Sequence, residues 1–363
     1  MTATSYTIPP LPPGKPVETM AVLRKVAEAH RYMAELKGVA ESIPNDRILV
    51  DTLSLQEAKD SSAIENIITT DDEVYRSDYL AMAFATPAAK EVHRYAEALK
   101  LGFEEVRLSG GIGLNMVLRV QAKLEDNSAG LRRLPGTVLK NERTGEVVYT
   151  PPQDHITIVE LMHNLEAFLN DDTLMDADPL VKMAIAHHQF ETLHPFYDGN
   201  GRTGRIINIL YLVQHGLLDL PILYMSRYII QHKADYYRLL QQVRVDGNWE
   251  PWILYMLEAV ARTAQQTIGL IKAIKVLMQR YKQRLRTEQP KLYSQDLLNN
   301  LFRHPYTKID FMMRDMGVTR ITATRYLNLL VEMELLELVK VGRTNFYLNR
   351  PLFELLRRGG QAN

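Results

Sequence analysis

Apolar residues recur at helical spacing along most of the chain and at strand spacing almost nowhere. Residues 17–41 place Val22, Val26, Ala29, Met33 and Leu36 three or four apart, which predicts an amphipathic helix. The same periodicity predicts a helix over 45–66, with Leu49, Leu53 and Ala58 among its apolar positions. Pro87 is expected to interrupt a third helical region that resumes over 91–108, and a fourth helix should follow the glycines at 110, 111 and 113. Further helices are predicted at 156–169, 179–193, 202–217, 233–243 and 250–280. Residues 8–16 are too proline-rich to donate the hydrogen bonds of a helix or central strand, and read as an extended lead-in laid over the body. The main strand signal lies at 137–150, where two β-prone runs flank a turn through 141–145 and Pro151-Pro152 stops the pattern; this reads as a β-hairpin.

Beyond residue 280 the pattern changes. The charged stretch to 290 reads as the end of a long helix plus a linker. Short helices are predicted at 292–303, 307–316 and 319–331, then strands at 336–341 and 345–348 around Gly342-Arg343-Thr344. The third of these helices turns Ala323, Leu327, Leu330 and Val331 inward and Arg320, Thr322, Thr324, Arg325 and Asn328 outward. The order resembles a winged helix-turn-helix, with 319–331 as recognition helix and 342–344 as wing tip. The expected division is an N-terminal helical region at 1–89, a core at 90–289 and this unit at 290–363.

Composition narrows the chemistry. With 43 basic and 43 acidic residues the chain has no net charge, so it is not as a whole a polyanion binder. Residues 290–358 hold 11 basic and 7 acidic residues, a net of +4, which leaves contact with DNA open for that unit. The absence of cysteine removes disulfides, thiolate metal sites and cysteine nucleophiles. The apolar stretch 206–225 contains Asn208, Gln214, His215 and Asp219, too polar for a membrane span. Residues 1–6 lack a basic stretch followed by an apolar one, so no secretory leader and a cytoplasmic location are expected.

Residues 194–205, His-Pro-Phe-Tyr-Asp-Gly-Asn-Gly-Arg-Thr-Gly-Arg, carry the candidate chemistry. Gly199-Asn200-Gly201 can bring backbone N–H groups close to a ligand. Arg202 is expected to open a new helix, whose N-terminus attracts phosphate. Arg202 and Arg205 share one side of that first turn, where basic residues oppose the helix dipole and make sense only around an anion. His194, at the exit of the preceding helix, can accept a proton near neutral pH. Asp198 supplies a hard oxygen suited to Mg²⁺, which typically takes one or two carboxylates plus nucleotide phosphates. Phe196 would anchor the loop. Residues 199–204 also match G-x-G-x-x-G, but the run before them is helical, not a strand, which rejects a dinucleotide fold. His187, His188 and His194 lack the spacing of a zinc helix, and core packing is the expected role of the first two.

This stretch resembles the signature of Fic-domain proteins, H-x-F-x-[DE]-G-N-G-R-x-x-R, without departure, and the likeness extends over roughly 90–265. It implies a mainly α fold, a Fic-type helical core with a β-hairpin flap that pairs with a target peptide. It implies transfer of AMP from ATP to a Ser, Thr or Tyr hydroxyl of a protein. In that reading His194 is the general base and Asp198 holds Mg²⁺. Gly199, Asn200, Gly201, Arg202, Thr203, Gly204 and Arg205 bind ATP, the two arginines at its β/γ end. Tyr236 and Tyr237 resemble the pair that closes over adenine. Ser61, Glu65 and Asn66 fit the family's inhibitory pattern [ST]-x-x-x-E-[GN], in which Glu65 would pair with Arg205 and misplace the phosphates. Alternatives left open are a nucleotide-sensing DNA-binding regulator and a hydrolase that removes AMP. A homodimer is also left open.

Overall fold

Prolines fix the ends of several elements in the computed structural model, which describes residues 7–77, 83–140 and 144–359. The lead-in is laid over the body as expected. Ile8 and Leu11 are buried, Leu11 N donates to Asn164 Oδ1 at 2.7 Å, and Gln189 Nε2 donates to Pro9 O at 2.9 Å. Helices α1 (Met20–Ala40), α2 (Asp46–Ile64) and α3 (Asp71–Arg76) follow, opened by the side-chain caps Thr19, Asn45 and Thr70. Next come α4 (Pro87–Ser109) and α5 (Leu114–Glu125). Pro87 starts α4 where it was expected to interrupt a helix, because proline's missing N–H costs nothing in a first turn and Thr86 caps the end. The hairpin is reduced to β1 (Leu139–Lys140) and β2 (Val147–Tyr149), paired antiparallel; part of its expected turn, 141–143, lies outside the described residues.

Helices α6 (His155–Asn170), α7 (Pro179–Leu193), α8 (Asn200–Gln214), α9 (Ser226–Gln231), α10 (Lys233–Asp246) and α11 (Glu250–Glu288) complete the central body. Helix α7 is buried almost all round and packs on α6, α8 and α11. Helix α11 ends inside the charged stretch, as expected, but takes up most of it and leaves little linker before 290, because Leu277, Tyr281 and Leu285 prolong its apolar stripe and are buried. No helix among the described residues is long and apolar enough to cross a membrane.

The C-terminal unit contains α12 (Gln295–Arg303), β3 (Tyr306–Thr307), α13 (Ile309–Met316), α14 (Arg320–Glu332), β4 (Glu337–Val341), β5 (Thr344–Leu348) and α15 (Arg350–Arg358). Its antiparallel sheet has the order β3-β5-β4. The three short helices and the strand pair stand near their expected places; β3 and α15 are additions. On α14, Ala323, Leu327 and Leu330 are buried while Arg325 and Asn328 are exposed.

This unit also rests on α2. Arg303 Nε donates to Asp51 Oδ2 at 2.5 Å, Lys100 Nζ lies 2.8 Å from Asp51 Oδ1, and Tyr306 Oη donates to Asp72. Burial pushes the Asp51 carboxyl up, but the charges of Lys100 and Arg303 outweigh it and hold it below the usual range. Arg303→Ala should therefore cost about 1–3 kcal/mol, the worth of charged hydrogen bonds, read as a lower denaturation midpoint. A depressed pKa stabilises the fold fully above the unfolded value of about 3.9, and the contribution vanishes as pH falls through the lower folded value. The gap between wild type and variant should close in acid; a gap that persists there would take Asp51 out of the argument.

Candidate active site

Helix α7 ends at His194, whose φ of 48° places it in the left-handed region. Its N–H still donates to Phe190 O at 2.9 Å, and Pro195 prevents further helix. The chain turns through Phe196, fully buried, and is closed by one side chain: Asn200 Oδ1 accepts from Phe196 N at 2.8 Å while its Nδ2 donates to Phe196 O at 2.9 Å. The Asn200 side chain thus builds the loop. Gly199 takes φ 77°, and a Cβ there would also collide with Glu125. Helix α8 then begins at Asn200, two residues earlier than expected, because Gly199 supplies the positive φ that starts the turn. No side chain caps it, so its first N–H groups face the neighbouring cavity as an anion-binding end.

That cavity, of ≈ 640 Å³, is lined by His194, Asp198, Gly199, Gly201, Arg202 and Glu65, among others. Asp198 is exposed, and its Oδ1 accepts from Gly199 N at 2.7 Å. One such carboxylate fits a divalent ion that takes its remaining ligands from a nucleotide; among the described residues no three acidic or histidine groups gather as a self-sufficient metal site. Burial, helped by the Arg132 charge, pulls the His194 imidazole down to about 4, so the ring is neutral and able to accept a proton at pH 7. Thr203 and Gly204 lie buried in α8, Gly204 close against Glu191, whose carboxyl burial pushes up to about 7.

Both arginines are engaged. Arg205 Nε donates to Ser61 Oγ at 2.7 Å, and Arg205 Nη2 donates to Ser61 O at 3.0 Å and to Glu65 Oε1 at 2.8 Å. Burial pushes Glu65 up, yet the Arg205 charge and hydrogen bond outweigh it and keep the carboxylate ionised below its usual range. A Cβ on Gly201 would collide with the same Glu65 oxygen, so this carboxylate lies over the first turn of α8. Helix α2 stops at Ile64, one residue before Glu65 and two short of the expected end, because Asn66 takes φ 62°. Arg202 donates from Nη1 to Glu91 Oε2 at 3.1 Å and from Nη2 to Glu125 Oε1 at 2.8 Å.

The two tyrosines separate. Tyr236 is buried, with its hydroxyl 2.8 Å from His187 Nε2; Tyr237 is half exposed and meets Tyr236 edge-on. His187 and His188 are core residues, the latter hydrogen-bonded to Leu240 O. Glu91, Glu125 and Arg132 touch the site without a sequence signal: no spacing relates residues 77 or 111 positions from Arg202 to it.

Three family models match the chain: Fic/DOC family N-terminal over 23–104, Fic/DOC family over 112–212, and Protein adenylyltransferase SoFic-like, C-terminal domain over 277–352. Protein adenylyltransferase fic-1 of Caenorhabditis elegans is 30% identical over 117 residues, 32% of this chain and 21% of that one. A probable protein adenylyltransferase of Aquifex aeolicus is 35% identical over 81 residues, 22% of this chain and 24% of that one. The chain therefore spans about a fifth to a quarter of the length of these relatives. A Fic family protein from Desulfovibrio desulfuricans has a similar fold, with TM-score 0.60 and 22% identity over 94% of this chain and 98% of that one. A Fic domain containing signaling protein from Bacteroides thetaiotaomicron matches 69% of this chain and 97% of its own, with TM-score 0.53 and 15% identity.

Proposed function

Since the chain belongs to the Fic/DOC family, we propose that it is a protein adenylyltransferase, moving AMP from ATP to a Ser, Thr or Tyr hydroxyl of a target protein. The observation that carries this reading is one cavity onto which a neutral imidazole, a carboxylate, an uncapped helix N-terminus and Arg202 all open. His194 takes the proton of the acceptor hydroxyl, whose oxygen attacks the α-phosphorus; the bond from that phosphorus to the bridging oxygen breaks and pyrophosphate leaves. The first turn of α8 with Arg202 and Arg205 holds the phosphates, and Asp198 would hold Mg²⁺, whose charge would offset that of the nucleotide phosphates. We assign Tyr237, whose ring is half exposed, to cover the base, with Tyr236 meeting it edge-on from the core. The core spans 90–289, between an N-terminal region at 1–89 and a winged helix at 290–363. In that last unit, outward Arg325 and Asn328 on α14 and exposed Arg343 at the tip between β4 and β5 support a DNA contact.

Glu65 holds the activity down by occupying Arg205. AMP removal is the second reading, favoured by the ionised Glu65 carboxylate in the same cavity as His194, where it could orient water. The discriminating experiment weighs the products after incubating wild type and Glu65→Gly with ATP and Mg²⁺; no AMP adduct from either protein would overturn the transfer reading.

Arg205→Ala removes both the phosphate clamp and the partner of Glu65. The double variant Arg205→Ala/Glu65→Gly should stay at least about tenfold below Glu65→Gly in transfer, since losing a charged hydrogen-bonding partner costs roughly 1.5–3 kcal/mol. Equal rates in labelled-ATP transfer would show that Arg205 does not hold the phosphates.

A further inference from the structure

The loop that leads from α5 into the hairpin is joined to the motif loop by one side chain. Arg132 is fully buried. Its Nε donates to His194 O at 2.7 Å, and its Nη2 donates to Pro152 O at 2.5 Å and to Leu193 O at 3.4 Å. Its backbone N–H donates to Pro195 O at 2.9 Å, and its carbonyl lies 2.9 Å from His155 Nδ1. Tyr197 extends the seam, its hydroxyl accepting from Arg133 N at 2.9 Å and Leu134 N at 3.1 Å. Gln153 closes the hairpin's root, accepting from Gly136 N at 2.6 Å and donating to Thr137 O at 2.9 Å.

The charge of Arg132 has an unusual setting. Among the described residues its guanidinium donates to backbone carbonyls and no carboxylate pairs with it. Its counter-charge is the carbonyl end of α7, where the last C=O groups lack helical partners and the helix dipole is negative. Burying an arginine this way costs more than an apolar residue of similar size would. What the guanidinium adds is geometry: one planar fork reaches two carbonyls at the end of α7 and one at the hairpin's exit. His194 itself stands in the left-handed region, sparsely populated by side-chain-bearing residues, and needs such support.

We propose that Arg132 is a positioning residue for AMP transfer: it fixes the backbone of His194 and locks the root of the hairpin to it, so that an acceptor presented on the hairpin stays in register with its base. The inference rests on the transfer reading above. It assigns the hairpin's attachment, and not only its free edge, to the reaction. Four charged groups act on the His194 ring: Arg132 from the hairpin lead-in, Arg244 from α10, Glu65 from the end of α2 and Asp198 from the motif loop. The two arginines oppose its protonation and the two carboxylates favour it. Removing Arg132 should raise the ring's titration midpoint.

The test uses the full chain in the Glu65→Gly background, with Arg132→Met and Arg132→Lys added, and self-modification from labelled ATP as the probe reaction. Arg132→Met should lower kcat by about tenfold to a hundredfold, the scale of an ångström-sized misplacement, with KM for ATP within about twofold because the phosphate nest is untouched. Arg132→Lys, which keeps the charge and loses the fork, should recover part of kcat. If Arg132→Met does not fold, Arg132→Lys alone carries the kinetic test, with kcat lowered and KM for ATP held. A parallel NMR titration of the His194 ring should show its midpoint higher in Arg132→Met and near the parent value in Arg132→Lys. Unchanged kcat in a folded variant, KM for ATP rising in step with the loss, or an unmoved midpoint in Arg132→Met would each overturn the proposal. Failure of the parent Glu65→Gly chain to transfer AMP would instead overturn the function itself, and the ring titration would still report on Arg132.

Discussion

His194→Ala should lower AMP transfer by about 10²–10⁴, the usual worth of a positioned general base, while ATP binds as in the parent. The side chain lies at the exit of α7, and the phosphate nest is built by others: Gly199 sets the turn, Asn200 closes the loop, and the first turn of α8 is uncapped. Truncation at Cβ therefore removes the base and leaves those groups in place. The backbone at 194 is held by Phe190 O and by the Arg132 fork, both of which act on main-chain atoms and survive the substitution. Burial keeps the wild-type ring neutral at pH 7, so the base is available without prior deprotonation. The measurement is labelled-AMP transfer alongside calorimetric ATP binding, in the Glu65→Gly background. Transfer at the parent rate by a variant that binds ATP normally would remove His194 from the mechanism.

How much of this site could be read from sequence depends on how far apart its parts lie along the chain. The proposed base, the proposed phosphate nest and both arginines occupy twelve consecutive residues, and a contiguous motif between two helices keeps its meaning in one dimension. Helix caps, which the apolar periodicity does not single out, are equally local: Asp178 accepts from Leu180 N and Thr319 from Thr322 N. The partners of the arginines were not. Glu125 stands on α5 with no local feature that separates it from a solvated helix glutamate, and only the packing of α5 on α8 brings it to Arg202. Arg132 reads in sequence as half of an Arg-Arg pair before a leucine and a proline; its burial follows from the meeting of hairpin root and motif loop.

Other differences have local causes that sequence periodicity alone underweights. Pro87 was read as a break, although a proline preceded by threonine equally marks a helix start. Helix α15 carries the same kind of signal, Asn349 capping with Pro351 in the first turn. The hairpin strands are only two and three residues long, since little of their surface is covered: Val147 and Val148 are about half exposed, and Tyr149 alone is buried. Glu65 was expected within a helix and stands at its cap. That shift has a functional consequence, because a residue past the last turn can reorient without unwinding the helix that delivers it.

Glu65→Gly should raise AMP transfer by roughly 5–150-fold, the range of a typical coupling between competing states, with KM for ATP changed much less. Two effects act together. The substitution frees the one N–H of Arg205 Nη2 that Glu65 Oε1 accepts at 2.8 Å, and it clears the carboxylate from above Gly201 on the first turn of α8. Arg205 is not orphaned by the change, since Ser61 Oγ and Ser61 O still hold its other edge. It therefore stays aimed toward the site, free to take a γ-phosphate oxygen. An exposed pair would be worth only about 1 kcal/mol or less, but here the arginine side chain is 2% exposed and the glutamate 35%. The Arg205–Glu65 contact is enclosed on the arginine side and open to the cavity on the glutamate side. Helix α2 itself should not leave: it buries Leu49, Leu53, Glu57, Ala58 and Ser61, its last turn is held by Lys233 donating to Ile64 O at 2.6 Å, and Arg303 holds its first half through Asp51. The variant should accordingly keep α2 in place and gain transfer, losing only the pair's own contribution to the denaturation midpoint. Because Glu65 is held below the usual glutamate range, mild acid should not imitate the substitution; the wild type should remain inhibited as pH falls through about 4.3, the ordinary value. Labelled-AMP transfer by wild type and Glu65→Gly at matched concentrations decides the matter. Equal rates, with both proteins folded and ATP-bound, would refute inhibition by Glu65, and activation of the wild type in mild acid would place the controlling carboxyl elsewhere.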